Sequence, residues 1–156
     1  KYKVFSKEEI VARYHIYVHT YDTILEIEAN TLNEMVNASV VPSGAEYEKL
    51  LSDNLINIIR LRKEASLKIE EGAVRDQKEH LVEVATKIYH VRRNAAAMTK
   101  LLEKAQKLHH EERGKTYFED LKPLMEHIRK HVDELEKVVS DEHWDLPKYR
   151  EMLFIK

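Results

Sequence analysis

The sequence predicts an all-α fold, an elongated antiparallel four-helix bundle with a C-terminal docking tail. Three observations carry that prediction. Of 156 residues, 35% are charged and 43% apolar, with only three Gly and three Pro, the profile of a soluble helical protein rather than of a sheet protein or a disordered chain. Helix breakers recur at Pro42 and Gly44, at Gly72 and at Gly114. Between them, apolar residues return in steps of three and four, the period of one helix face.

The first helix is expected over 7–39. It opens on a capping box, Ser6-Lys7-Glu8-Glu9, in which the hydroxyl bonds the third helical N–H and the Glu reaches back to the cap. Its stripe is Ile10, Tyr14, Tyr17, Tyr21, Ile24 and Met35, flanked by Val11, Val18, Leu25 and Leu32. A second helix over 44–70 follows the box Ser43-Gly44-Ala45-Glu46 and carries Tyr47, Leu51, Leu55, Ile58 and Leu61.

The third helix, over 74–112, shows a strict alternation: Leu81, Val84, Ile88, Val91, Ala95, Met98, Leu102 and Ala105. The fourth, over 117–140, starts at the box Thr116-Tyr117-Phe118-Glu119 and presents Phe118, Leu121, Met125, Ile128, Val132, Leu135 and Val139. Pro123 lacks a backbone donor at that depth, so a kink near Glu119 or a start at Asp120 is expected. An apolar stripe on every helix, with short connections, specifies antiparallel helices around one core. The bundle occupies 6–140, after a linker over 1–5 and before a tail over 141–156.

Composition excludes several kinds of chemistry. Cysteine is absent, which removes disulfides, thiolate nucleophiles and zinc–thiolate sites. Net charge is −2, with 26 Lys and Arg against 28 Asp and Glu. The basic residues are spread along the chain, so no nucleic-acid partner is expected. No apolar run is long enough to span a bilayer, and Lys1 to Phe5 lead straight into a charged helix without a signal-peptide pattern. A cytoplasmic location fits. The chain does not begin with Met, so it is expected to be a fragment of a longer one.

Nine histidines raise the question of a metal. His15/His19 and His127/His131 are each spaced i, i+4, which puts both rings on one helix face, but a site needs further ligands. No histidine follows a Glu by three residues, as di-iron bundles require. Partly exposed surface histidines are the expectation, with adventitious metal binding the alternative. Tyr14, Tyr17 and Tyr21 read as a core stripe with hydroxyls at its rim. The three glycines are too far apart to cradle a phosphate. No catalytic, cofactor-binding or metal-ligating residue is assigned.

The tail is the informative part. Asp141-Glu142-His143-Trp144-Asp145-Leu146-Pro147-Lys148-Tyr149-Arg150-Glu151-Met152-Leu153-Phe154 resembles the terminus of type III glutamine synthetases, the long bacterial form, which typically ends Trp-Pro-Leu-Pro-Lys-Tyr-Arg-Glu-Leu-Leu-Phe. Val4-Phe5, Glu9, Ala12-Arg13-Tyr14, Ile27-Glu28-Ala29 with Thr31, Val41-Pro42 and Tyr47 resemble the segment that follows that family's catalytic domain. Asp145 departs from the family's Pro, which loosens the turn after Trp144.

The resemblance spans essentially the whole chain, and its terminal motif is the specific part. It implies the non-catalytic C-terminal helical domain of an oligomeric ligase that makes glutamine from glutamate, ammonia and ATP. ATP and Mg would belong to an upstream catalytic domain, and none of that domain's motifs occurs here. The implied partners are that domain and neighbouring subunits. Trp144 and Leu146 are expected to close the bundle, with Tyr149, Arg150, Met152, Leu153 and Phe154 anchoring it to the rest of the enzyme. The alternative is a free-standing bundle acting as a metal-binding or protein-interaction module.

Overall fold

A computed structural model describes residues 4–65 and 68–153, and every regular element in it is helical. The four long helices are α1 (Lys7–Met35), α2 (Val41–Glu64), α3 (Glu71–Ala105) and α5 (Lys122–Glu136). A short α4 (His110–Thr116) precedes α5, and α6 (Tyr149–Leu153) closes the described chain.

The predicted break at Pro42 and Gly44 does not occur. Between α1 and α2 the backbone stays helical through a π turn, Val36–Val40, so the two helices run on without reversing. Val41 N–H bonds the Val36 carbonyl five residues back. The usual four-residue ladder has therefore slipped by one residue where it reaches Pro42, and the missing proline donor falls at that slip. The same device recurs between α4 and α5. A π turn over Tyr117–Leu121 ends with Lys122 N–H on the Tyr117 carbonyl, and Pro123 follows. Neither a kink near Glu119 nor a start at Asp120 is needed.

Of the three capping boxes, the first forms. Ser6 Oγ accepts from Glu9 N–H at 3.2 Å, and Glu9 Oε2 accepts from Ser6 N–H at 2.7 Å. Ser43 is instead buried in the first turn of α2, and Thr116 Oγ1 donates to the Glu112 carbonyl inside α4. The third helix ends at Ala105, and its connection to α4 lies over 106–109 rather than at Gly114.

Two of the three glycines serve packing. A Cβ on Gly44 would stand 2.9 Å from Ile88 Cγ1, and one on Gly114 would stand 3.1 Å from Asp22 Oδ1. The absent side chains let α2 approach α3, and α4 approach α1.

Pairs across the interfaces give the directions. Gly44 meets Ile88, Tyr47 meets His80 and Arg62 meets Glu71, so α2 and α3 are antiparallel. Lys87 meets Glu134 and His90 meets His131, so α3 and α5 are antiparallel as well. The α3 stripe forms the spine of the core: Val84, Ile88, Val91, Ala95, Met98, Leu102 and Ala105 are all buried, with Leu81 half-buried.

The other stripes needed correction. On α1 the buried residues are Asp22, Leu25 and Ala29. The predicted core positions Ile10, Tyr14, Tyr17, Tyr21, Ile24 and Met35 all lie exposed, Tyr17 at 69%. Before α5, Tyr117 is fully buried and Phe118 is exposed. On α2, Tyr47, Leu51, Leu55 and Ile58 are half-buried and Leu61 is exposed.

Candidate interaction site

Beyond α5 a short 3-10 turn, Asp141–His143, delivers Trp144 into the core, where the residue is 8% exposed. Two polar contacts hold the following segment. Asp145 N–H donates to Ser43 Oγ at 3.3 Å, tying the tail to the first turn of α2. Lys148 Nζ donates to the carbonyls of Glu136 at 3.1 Å and Val139 at 3.2 Å, and pairs with Asp141 Oδ1 at 2.7 Å. A helix leaves its last four carbonyls without partners and carries partial negative charge there. The Lys148 ammonium answers both.

Leu146 is half-buried against the core, whereas Met152 and Leu153 are exposed. Tyr149 and Arg150 lie on α6. Phe154 lies outside the described residues. The sequence marked Ser43 as a helix cap and Lys148 as part of the tail motif, but not these contacts, since their partners are a loop amide and a helix end, which no local pattern reveals.

Next to the tail, α1 and α5 leave a groove of about 710 Å³ between them. Leu25, Leu32 and Met35 from α1, Met125 and Val132 from α5, and Trp144 line it. Charged side chains from both helices, Glu28 and Lys122 among them, complete the lining. Beyond this groove the exposed apolar residues of α1 continue toward its N-terminus.

The buried polar groups are structural in their placement. Asp22 is 2% exposed, with Oδ2 3.1 Å from His110 Nδ1 and 3.7 Å from Arg113 Nε. This cluster sits between packed helices and fixes α4 against α1. Glu26 accepts from Gln106 Nε2 at 2.7 Å and from the Tyr117 hydroxyl at 3.4 Å. Burial, reinforced by the Glu26 carboxylate, raises the Tyr117 phenol above its ordinary 10.0.

His90 and His131 stack across α3 and α5 at 5.2 Å between centroids. Burial lowers the His131 pKa below 6.5. His15 and His127 are exposed, and His19 meets the His110 ring edge-on. Among the described residues, no three His, Cys, Asp or Glu side chains are grouped so as to hold a metal. No helix there is long and apolar enough to cross a membrane.

The family model described as "Glutamine synthetase C-terminal domain" matches residues 1–58, which take in α1, the π turn and most of α2. The chain is 29% identical over 155 residues to a glutamine synthetase of Bacteroides fragilis, an alignment covering 99% of this chain and 21% of that protein. The chain matches the C-terminal domain of glutamine synthetase. A glutamine synthetase of Butyrivibrio fibrisolvens is 28% identical over 158 residues, covering 99% of this chain and 21% of the relative. A type-3 glutamine synthetase of Dictyostelium discoideum is 27% identical over 155 residues, covering 98% and 20% respectively. The chain therefore spans about a fifth of the length of these glutamine synthetases. The alignments take in the tail, which lies beyond the residues that the glutamine synthetase C-terminal family model matches.

Proposed function

We propose that this chain is the non-catalytic structural and oligomerisation domain of a type III glutamine synthetase, a cytoplasmic enzyme that makes glutamine from glutamate, ammonia and ATP. ATP and Mg bind in the catalytic region that precedes it, and this domain holds neither. Its partners are that region and neighbouring subunits, arranged around an elongated helical bundle. The observation that carries the reading is the end-to-end match to only about a fifth of each relative. Within the domain, Trp144, Leu146 and Lys148 belong to the bundle, while Tyr149, Arg150, Met152, Leu153 and Phe154 dock on the rest of the enzyme.

The test has two arms. The isolated chain, given glutamate, ammonia, ATP and magnesium, is expected to form no glutamine above a blank. The longer enzyme cut off before α1 is expected to sediment as smaller species than the intact enzyme. Glutamine formation that copurifies with the isolated chain, or unchanged sedimentation of the shortened enzyme, overturns the proposal.

A further inference from the structure

The first half of α1 is the least explained part of this fold. Its apolar residues Ile10, Val11, Tyr14, Tyr17, Tyr21 and Ile24 are all exposed, although their spacing is that of a core face. At about 100° per residue these positions cover an arc of about 140° on the helix. That arc holds no carboxylate between Ile10 and Ile24, and Arg13 at its edge lies over the Phe5 ring, 4.5 Å from its centroid.

The arc is also continuous with the groove. Glu28 and Met35 fall on the same helix line as Tyr21 and Ile24, and both line the space between α1 and α5. An exposed apolar surface of this extent marks an interaction site. Three tyrosines suit one, because a tyrosine presents an apolar ring and a polar rim together.

Two properties choose the occupant. A two-helix pairing between copies uses a narrow seam sustained over at least about three heptads. This face is wider than a seam and covers just over two heptads. Its breadth suits a helix lying against a large body. The matched relatives have such a body, since about four-fifths of their length lies outside the part aligned with this chain. A region joined through the same backbone also meets the helix at high effective concentration.

We infer that the Ile10–Ile24 face of α1 is the seat of the region that precedes this domain in the same polypeptide, covered there as one side of an intramolecular interface. This rests on the reading of the chain as a C-terminal domain and adds the surface through which it attaches. The test places a photo-crosslinking amino acid at Tyr17 in the full-length enzyme, assembled from mixed light- and heavy-isotope subunits, with the exposed Lys100 on α3 as the control position. The expected products from Tyr17 join it to the preceding region in single-isotope pairs, with few such products from Lys100. Mixed-isotope pairs, links between two α1 helices, or no enrichment over Lys100 each overturn the inference. If removal of the domain still reduces the assembly in that case, the structural role stands and only the docking face is wrong.

Discussion

The Lys148 ammonium lies 3.1 Å from the carbonyl oxygen of Glu136, the last residue of α5, making the tail the cap of the helix that precedes it. Its side chain is 12% exposed, so water cannot readily replace it. Lys148→Met keeps the apolar stem and removes the donor. Urea unfolding is expected to show a loss of about 2 kcal/mol, the cost of leaving charge-assisted acceptors unsatisfied. An unmoved midpoint assigns those carbonyls to water instead.

Glycine to alanine in a helix normally stabilises by about 1 kcal/mol. Gly72→Ala, with open space around it, is expected to follow that rule. Gly44→Ala is expected to reverse it and cost about 1–3 kcal/mol, as for an overpacked core, because Ile88 Cγ1 stands where the methyl must go. Opposite shifts in melting temperature for the two variants are the signature. Matching shifts would falsify the close approach of α2 to α3.

Ile128 is fully buried on α5, and Tyr17 is exposed on α1. In the isolated chain, Ile128→Ala is expected to cost about 2–4 kcal/mol, while Tyr17→Ala stays within about 0.5 kcal/mol. A comparable loss at Tyr17, measured by denaturant melts, places that ring in the core after all.

Burial lowers the His131 pKa below 6.5; the Glu134 carboxylate opposes this, and His90, His127 and Lys130 add to it. The unfolded chain then binds a proton in a range where the folded chain does not. Stability is full above pH 6.5 and falls as pH drops toward the lowered value. His131→Gln is expected to flatten that part of a plot of melting temperature against pH. A slope identical to that of the parent assigns the effect to other groups.

The helical content and the α3 stripe were legible because one periodic pattern ran unbroken from Val84 to Ala105. What misled was punctuation. Pro42 and Gly44 carry the signals of a helix break, yet one fills a slipped ladder and the other a close contact. The clue lay in spacing: Leu32, Val36, Val40 and Gly44 are separated by successive fours, which a plain α-helix cannot keep on one face. Ile10 to Ile24 misled for another reason. Apolar spacing reports that a face is destined for burial without saying which partner buries it. Trp144 was legible as an inward residue, but the contacts of Ser43 and Lys148 were not legible, because they join positions separated in the chain or lie on a turn with no pattern of its own.

A π turn holds one residue more than the α turn it replaces. Losing a residue such as the exposed Asn37 would let α1 and α2 merge into a plain α-helix on nearly the same bearing, whereas winding all five residues as plain α-helix would swing everything before them by about 100° around the axis. The same core contacts of α2 would then coexist with an α1 whose tyrosines face another direction. The bearing of that face is thus set by the π winding between Met35 and Val41, which takes up one residue without turning the face.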